Sequence, residues 1–185
     1  MLNLLLLAAP AFGQFKVFPS IVEMAEGGKV NLLVIISGRQ KFTLRQPPGF
    51  TVRVDAPNKS LLFKSANEKT AITFQVTTNF PGELPAQEVL RSKALEETPG
   101  GGILQTSFCP TGYKPGCFFD LVRLMREGLS VRYRRVYVAC PEGTLEFVFA
   151  TDNSEFEGQR FIFSNFLNSF RLEPATSASL DPAKP

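Results

Sequence analysis

The chain predicts an α+β fold, an antiparallel β-sheet sandwiched between helices. Two observations lead there. Apolar residues alternate with polar ones along most of the sequence, in runs joined by short turns that carry proline and glycine. Two segments, PAQEVLRSKALEE and SEFEGQRFIFSNFLNSF, switch to helical spacing. At 185 residues, 44% hydrophobic and 20% charged, the chain has the ordinary globular balance and room for one core. One domain is expected over 14–173, between a leader-like segment at 1–13 and a disordered tail at 174–185 that has little to bury.

The sequence starts MLNLLLLAAPAFGQ. Leu4–Ala9 is a short apolar run, and Ala11-Phe12-Gly13 reads as a small-x-small cleavage site that leaves Gln14 first in the mature protein. Export, to the periplasm or beyond, is the expectation. No later run approaches the roughly 18 apolar residues of a membrane-crossing helix, so no integral span is expected.

KVNLLVIISG (Lys29–Gly38) is a β-branched buried strand, and Phe42 and Leu44 alternate with polar neighbours in the next one. Gln46-Pro47-Pro48-Gly49 is a turn. Phe50, Val52 and Val54 then share a strand face, LLFK follows, and Ile72, Phe74 and Val76 point inward from AITFQVTT. Pro85–Glu97 is an amphipathic helix with Ala86, Val89, Leu90 and Ala94 on its apolar side, proline in its first turn and glycines beyond its end. Gly100–Gly102 is no phosphate loop, since no Lys-Ser/Thr follows. After a short strand at Ile103–Phe108, FFDLVRLM and LSVRYRRVYVA form a hairpin, and Pro141-Glu142-Gly143 turns the chain into TLEFVFA. The helix Ser154–Phe170 carries Phe156, Phe163, Phe166, Leu167 and Phe170 on one side.

Between the seventh and eighth of these elements lies SFCPTGYKPGCFF. In an oxidising compartment Cys109 and Cys117, across a loop rich in proline and glycine, are expected to form a disulfide worth about 2–3 kcal/mol. Cys140 is then a buried thiol, and Cys117–Cys140 is the competing pairing. The clamped tip would present Tyr113 and Lys114 for interaction.

The order of elements resembles the PsbP/DcrB-like superfamily of exported proteins over about Lys41–Leu172. The residues that carry the resemblance are QPPGFTVRVD, AITFQVTT with the helix near Val89, RYRRVYVAC, TLEFVFATD and the closing FIFSNFLNSFRL. The resemblance implies a PsbP-like α/β/α arrangement and a protein that acts by binding, as accessory subunits and envelope proteins of that superfamily do.

The sequence contains no histidine and no tryptophan, against 18 phenylalanines. Missing histidine removes the Ser-His-Asp and Cys-His constellations and every histidine-bearing zinc site. No catalytic residue, metal site or cofactor is expected. A formal charge of +3 makes no case for nucleic acid. One surface group stands out: Arg123, Arg126, Arg132, Arg134 and Arg135. With a two-residue turn at Glu127-Gly128, Arg123 would face Arg132 and Leu121 would face Arg134, and opposed arginines call for an anion between them. The alternative is a charged face neutralised by Asp120, Glu127, Glu142 and Glu146. Broken alternation at RYRR suggests a β-bulge near Arg134-Arg135. The expected function is that of an exported, monomeric, non-catalytic accessory protein docking on a protein partner at the envelope. The alternative is a small-ligand carrier with a cleft between sheet and helix.

Overall fold

The computed structural model describes residues 14–23, 28–125 and 128–174. Strand alternation produces two antiparallel sheets. The smaller consists of β1 (Phe15–Glu23), β2 (Lys29–Ser37), β3 (Gln40–Arg45) and, at the far edge, β11 (Arg171–Pro174). The larger has seven strands: β4 (Phe50–Asp55), β5 (Ser60–Ser65), β6 (Ala71–Thr77), β7 (Gly101–Cys109), β8 (Gly116–Leu124), β9 (Ser130–Cys140) and β10 (Gly143–Asp152). Their order is β4-β5-β6-β10-β9-β8-β7, two meanders joined where β6 pairs with β10. Helix α1 (Gln87–Glu96) makes the crossover between the meanders, and α2 (Phe156–Ser169) follows β10.

The expected sheet between helices is therefore present. On one face lie α2 and the small sheet. Here Phe63, Phe74, Phe147 and Phe149 of the large sheet meet Ile35 and Phe42 of the small one and Phe163, Phe166 and Phe170 from the helix and its end. Phenylalanine fills this layer by edge, tilted and stacked ring contacts: the Phe147 ring centroid lies 5.2 Å from that of Phe74 and 5.4 Å from that of Phe170, and Phe149 stacks on Phe163. On the other face α1 places Leu90 and Ala94 over Cys117, Phe119, Leu121 and Tyr137.

Several expectations are corrected. β1 was not anticipated, because Pro19 interrupts it and Phe18, Ile21 and Val22 stay exposed, as an edge strand allows. The last helix is expected to run through Phe170 with no strand after it, yet β11 follows. Phe170 instead adopts an extended conformation that stops α2, yet it remains fully buried. Pro174 ends this strand rather than starting a tail, and 175–185 lie outside the described residues, as do 1–13. Pro85 precedes the helix, whose cap is Ala86, and Val89 faces outward at 46% exposure. β9 has no bulge at Arg134-Arg135: its register runs unbroken from Val131 to Cys140 against β10. Alternation fails there because both faces are covered, Val136 and Val138 packing under α2 while Tyr137 packs under α1. The irregularity falls in β7, between Ile103 and Gln105.

The disulfide is also corrected. All three cysteines carry free thiols. Cys109 pairs across the ladder with Gly116, so Cys117, one residue on, projects from the opposite face. Cys109 packs against the α2-side core and Cys117 lies in the α1-side cluster; Cys140 belongs with the former, which separates the alternative pair as well. Hydrogen bonds hold the loop instead. The Thr111 hydroxyl oxygen accepts from the Tyr113 and Lys114 amides at 3.1 and 3.2 Å. The Gly112 amide donates to the Leu167 carbonyl at 2.9 Å. A Cβ at Gly112 would stand 2.0 Å from the Phe170 carbonyl oxygen, so only glycine permits this docking onto the end of α2. Alkylation of the unfolded, non-reduced protein is expected to label three thiols per chain by mass spectrometry. Two labels fewer would restore the disulfide.

Candidate functional site

The connection between β8 and β9 decides where the arginines point. The Met125 amide donates to the Leu129 carbonyl at 2.7 Å, leaving three residues in the connection rather than two. Every pair is thereby shifted by one. Arg123 faces Val131, Val122 faces Arg132 and Asp120 faces Arg134. No arginines oppose each other directly, and the group divides between the two faces. Arg132 and Arg134 project on the α2 side and Arg123 and Arg135 on the α1 side; Arg126 lies outside the described residues.

On the α2 side the arginines close on a fully buried aspartate. Arg134 donates to both oxygens of Asp120, Nε to Oδ1 at 2.6 Å and Nη2 to Oδ2 at 2.7 Å, a bidentate fork. Arg132 adds Nη2 to Oδ2 at 3.2 Å and reaches Glu157 of α2 at 3.2 Å. The guanidinium groups lie over aromatic rings, Arg132 4.0 Å from the Phe156 centroid and Arg134 4.4 Å from that of Phe118. Burial alone would lower the Arg134 pKa, but the hydrogen bond and charge of Asp120 outweigh it and raise the value. Cys109 shares this neighbourhood. Burial pushes its thiol up to about 11 against the pull of Arg134, so it is a poor nucleophile.

On the α1 side a second network forms around buried Glu146. Lys93 of α1 bridges Glu146 and Glu97, the latter at 2.7 Å. Arg135 donates to Glu97 Oε2 at 2.5 Å, to the Glu97 carbonyl at 2.8 Å and to Thr98 at 3.0 Å. The Tyr137 hydroxyl adds a bond to Glu97 at 3.4 Å. The acids flank a cavity of about 340 Å³ with Thr73 and Gln75. Two carboxylates and two cations meet there, an arrangement that ties α1 to the sheet. Sequence reasoning missed Lys93 and Glu97. The available signals were a lone glutamate in TLEFVFA, which burial obliges to find a cation, and the Lys93/Glu97 pair at i,i+4.

Among the described residues, open surface lies at both ends of β8. At the end of the β8–β9 hairpin Leu124 is 76% and Leu129 64% exposed, with Met125 and the half-buried Arg123 beside them. At the opposite end of β8, Tyr113 packs partly against the core and Lys114, exposed, lies over its ring. Near there, a cleft of about 530 Å³ opens between α2 and the β3–β4 connection. That connection is a turn in which the Phe50 amide reaches the Pro47 carbonyl at 3.2 Å and Gly49 takes φ of 75°, the position-three requirement of a type II turn.

Asp120→Asn leaves the half-buried Arg134 without its counter-charge and Arg132 with only the exposed Glu157, and a loss of about 3–5 kcal/mol is expected in urea unfolding. Glu157→Gln, at the exposed partner of Arg132, should cost less than about 1 kcal/mol in the same assay. A pH signature follows from Glu146. Burial pushes its carboxyl above the ordinary value of 4.5, and Glu97 adds to this against Lys93. The folded state therefore holds that proton more tightly than the unfolded chain. The stability it contributes is complete below the ordinary value and is lost as pH rises through the raised one. The stability difference between Glu146→Gln and the natural chain is expected to shift in favour of the variant over the pH range above the ordinary carboxyl value of 4.5, read from paired urea midpoints. A constant difference across that range would contradict this.

No protein-family model matches the chain, and no curated protein sequence matches it. Solved structures do. The Ran-binding protein Mog1p of Saccharomyces cerevisiae superposes with a TM-score of 0.51 at 11% identity, over 84% of this chain and 96% of its own. LpqN of Mycobacterium tuberculosis, described as involved in cell envelope biogenesis, gives 0.45 at 10% identity, over 85% and 92%. A Bacteroides thetaiotaomicron VPI-5482 protein gives 0.46 at 13% identity over 77% of this chain, which spans about half the length of that protein, 48%. The likeness to Mog1p shows a shared α+β fold.

Proposed function

We propose that the chain is an exported, non-catalytic accessory protein of the PsbP/DcrB kind that docks on a protein partner at the cell envelope. The observation that carries docking is the β8–β9 hairpin end, where Leu124, Met125 and Leu129 stand exposed beside Arg123. Apolar side chains held out of the core on a paired hairpin, next to a cation, are suited to a partner surface with an apolar pocket and acidic rim. That a protein of this fold can act by binding another protein is supported by Mog1p, which is a Ran-binding protein. Export is supported by the leader-like Met1–Gly13, and the envelope by the superfamily resemblance. The absence of histidine, three thiols raised by burial and the neutralised pair Glu97/Glu146 favour a non-catalytic role.

Protein starting at Gln14 would be cross-linked in native envelope extract beside the double variant Leu124→Asp/Leu129→Asp. One discrete partner is expected from the natural chain, its recovery falling roughly tenfold or more in a variant that keeps its circular dichroism. Equal recovery by both proteins would remove the hairpin from the interface, and no partner for either would overturn docking.

A further inference from the structure

The cleft between α2 and the β3–β4 turn has a charge pattern unlike that of β9. Arg45 and Arg171 both line it, and no carboxylate does. Arg171 pairs across the ladder with Thr43, two residues from Arg45 in β3, so the two arginines start from the same sheet face as diagonal neighbours. On β9 each described arginine meets an acid, Arg132 and Arg134 sharing Asp120; Arg45 and Arg171 enter no ion pair among the described residues. Like charges on diagonal positions of one sheet face repel, and an anion between them would relieve this.

The geometry of Arg171 is fixed. Its Nη1 is directed at the carbonyls of Asn168 and Phe170, at 2.6 and 2.7 Å, and at that of Gly112 at 3.2 Å. Asn168 and Phe170 stand at the negative end of α2, so Arg171 offsets the helix terminus on this side of the cleft. Beside the cations stands an apolar wall: Pro47, Pro48 and Ile162, with Phe161 60% exposed although it sits on the helix that supplies most of the core. Gln46, Asn165, Phe166, Asn168 and Ser169 complete the lining. A volume of about 530 Å³ falls in the range of roughly 300–1,000 Å³ typical of small-molecule sites.

We propose that this cleft binds a soluble amphipathic carboxylate, its head between Arg45 and Arg171 and its acyl or aromatic body along Phe161, Ile162 and the Pro47-Pro48 turn. Charge selects the head and the apolar wall selects the body, so neither a short carboxylate nor an uncharged chain of equal length satisfies the site. The site lies at the other end of α2 from the hairpin and stands or falls independently of docking there.

The test is a fluorescence titration of the folded protein with 11-(dansylamino)undecanoate, followed by displacement with dodecanoate, dodecanol or acetate. Saturable binding of one probe per chain is expected, displaced by dodecanoate and not by acetate, with dodecanol at least tenfold weaker. Arg45→Glu and, separately, Phe161→Asn are expected to weaken the probe roughly tenfold or more, since both positions are exposed and their loss spares the core. Binding unchanged in both variants would put the probe elsewhere and overturn the proposal. So would dodecanol competing as well as dodecanoate, or the absence of saturable binding. Binding to anionic phospholipid vesicles by sedimentation, lost in Arg45→Glu and unaffected by dodecanoate, would assign the cleft to membrane surfaces and equally overturn it.

Discussion

Burial of the central strands on both faces governs what their charged residues can do. β8, β9 and β10 lie between α1 on one side and α2 with the small sheet on the other. An ionised group there loses water whichever way it points, and only a charged partner within the protein restores what is lost. Asp120 is accordingly met by Arg134 and Arg132, Glu146 by Lys93, and Arg135 by Glu97. These contacts select the arrangement more than they stabilise it, because desolvation offsets much of the Coulomb gain. Breaking one is costly for the same reason: the orphaned charge stays in place.

That constraint reassigns the arginines. Five of them within thirteen residues look like a docking face when the strand is imagined with one side in water. With both sides covered, Arg132, Arg134 and Arg135 become the internal counter-ions of the sheet. Open surface suited to a partner or ligand is then found where the layers end, at the apolar hairpin tip and at the cleft beside α2.

The strands β2 to β6 were legible because each has one buried and one wetter face, as Ile72, Phe74 and Val76 show. The aromatic stripe of α2 was legible for the equivalent helical reason. Register between β8 and β9 was not, since it depends on one hydrogen bond, Met125 to Leu129, which sequence pattern does not encode. β11 was hidden because Phe170 prolongs the apolar rhythm of the preceding helix and the strand after it is only four residues long. The cysteine spacing suggested a clamp, whereas the strand period of two sends Cys109 and Cys117 to opposite faces. Asp120 and Glu146 were visible as lone acids in apolar runs; their partners were not, because the covering helices come from distant parts of the chain.

The two open surfaces are related through α2. Near its start, Glu157 meets Arg132 on the strand that leads to the hairpin; near its end, Leu167 accepts from Gly112 and the cleft begins. β8 runs the same span, from Gly116 beside the loop to Leu124 at the tip, about 27 Å at the usual strand rise. A ligand seated at one end therefore makes no direct contact with a partner at the other. Any influence between them would have to move α2, and its Phe163, Phe166 and Leu167 are buried in the phenylalanine layer. A close-packed layer of that kind resists small displacements of its members. The expected behaviour is two surfaces that fill independently.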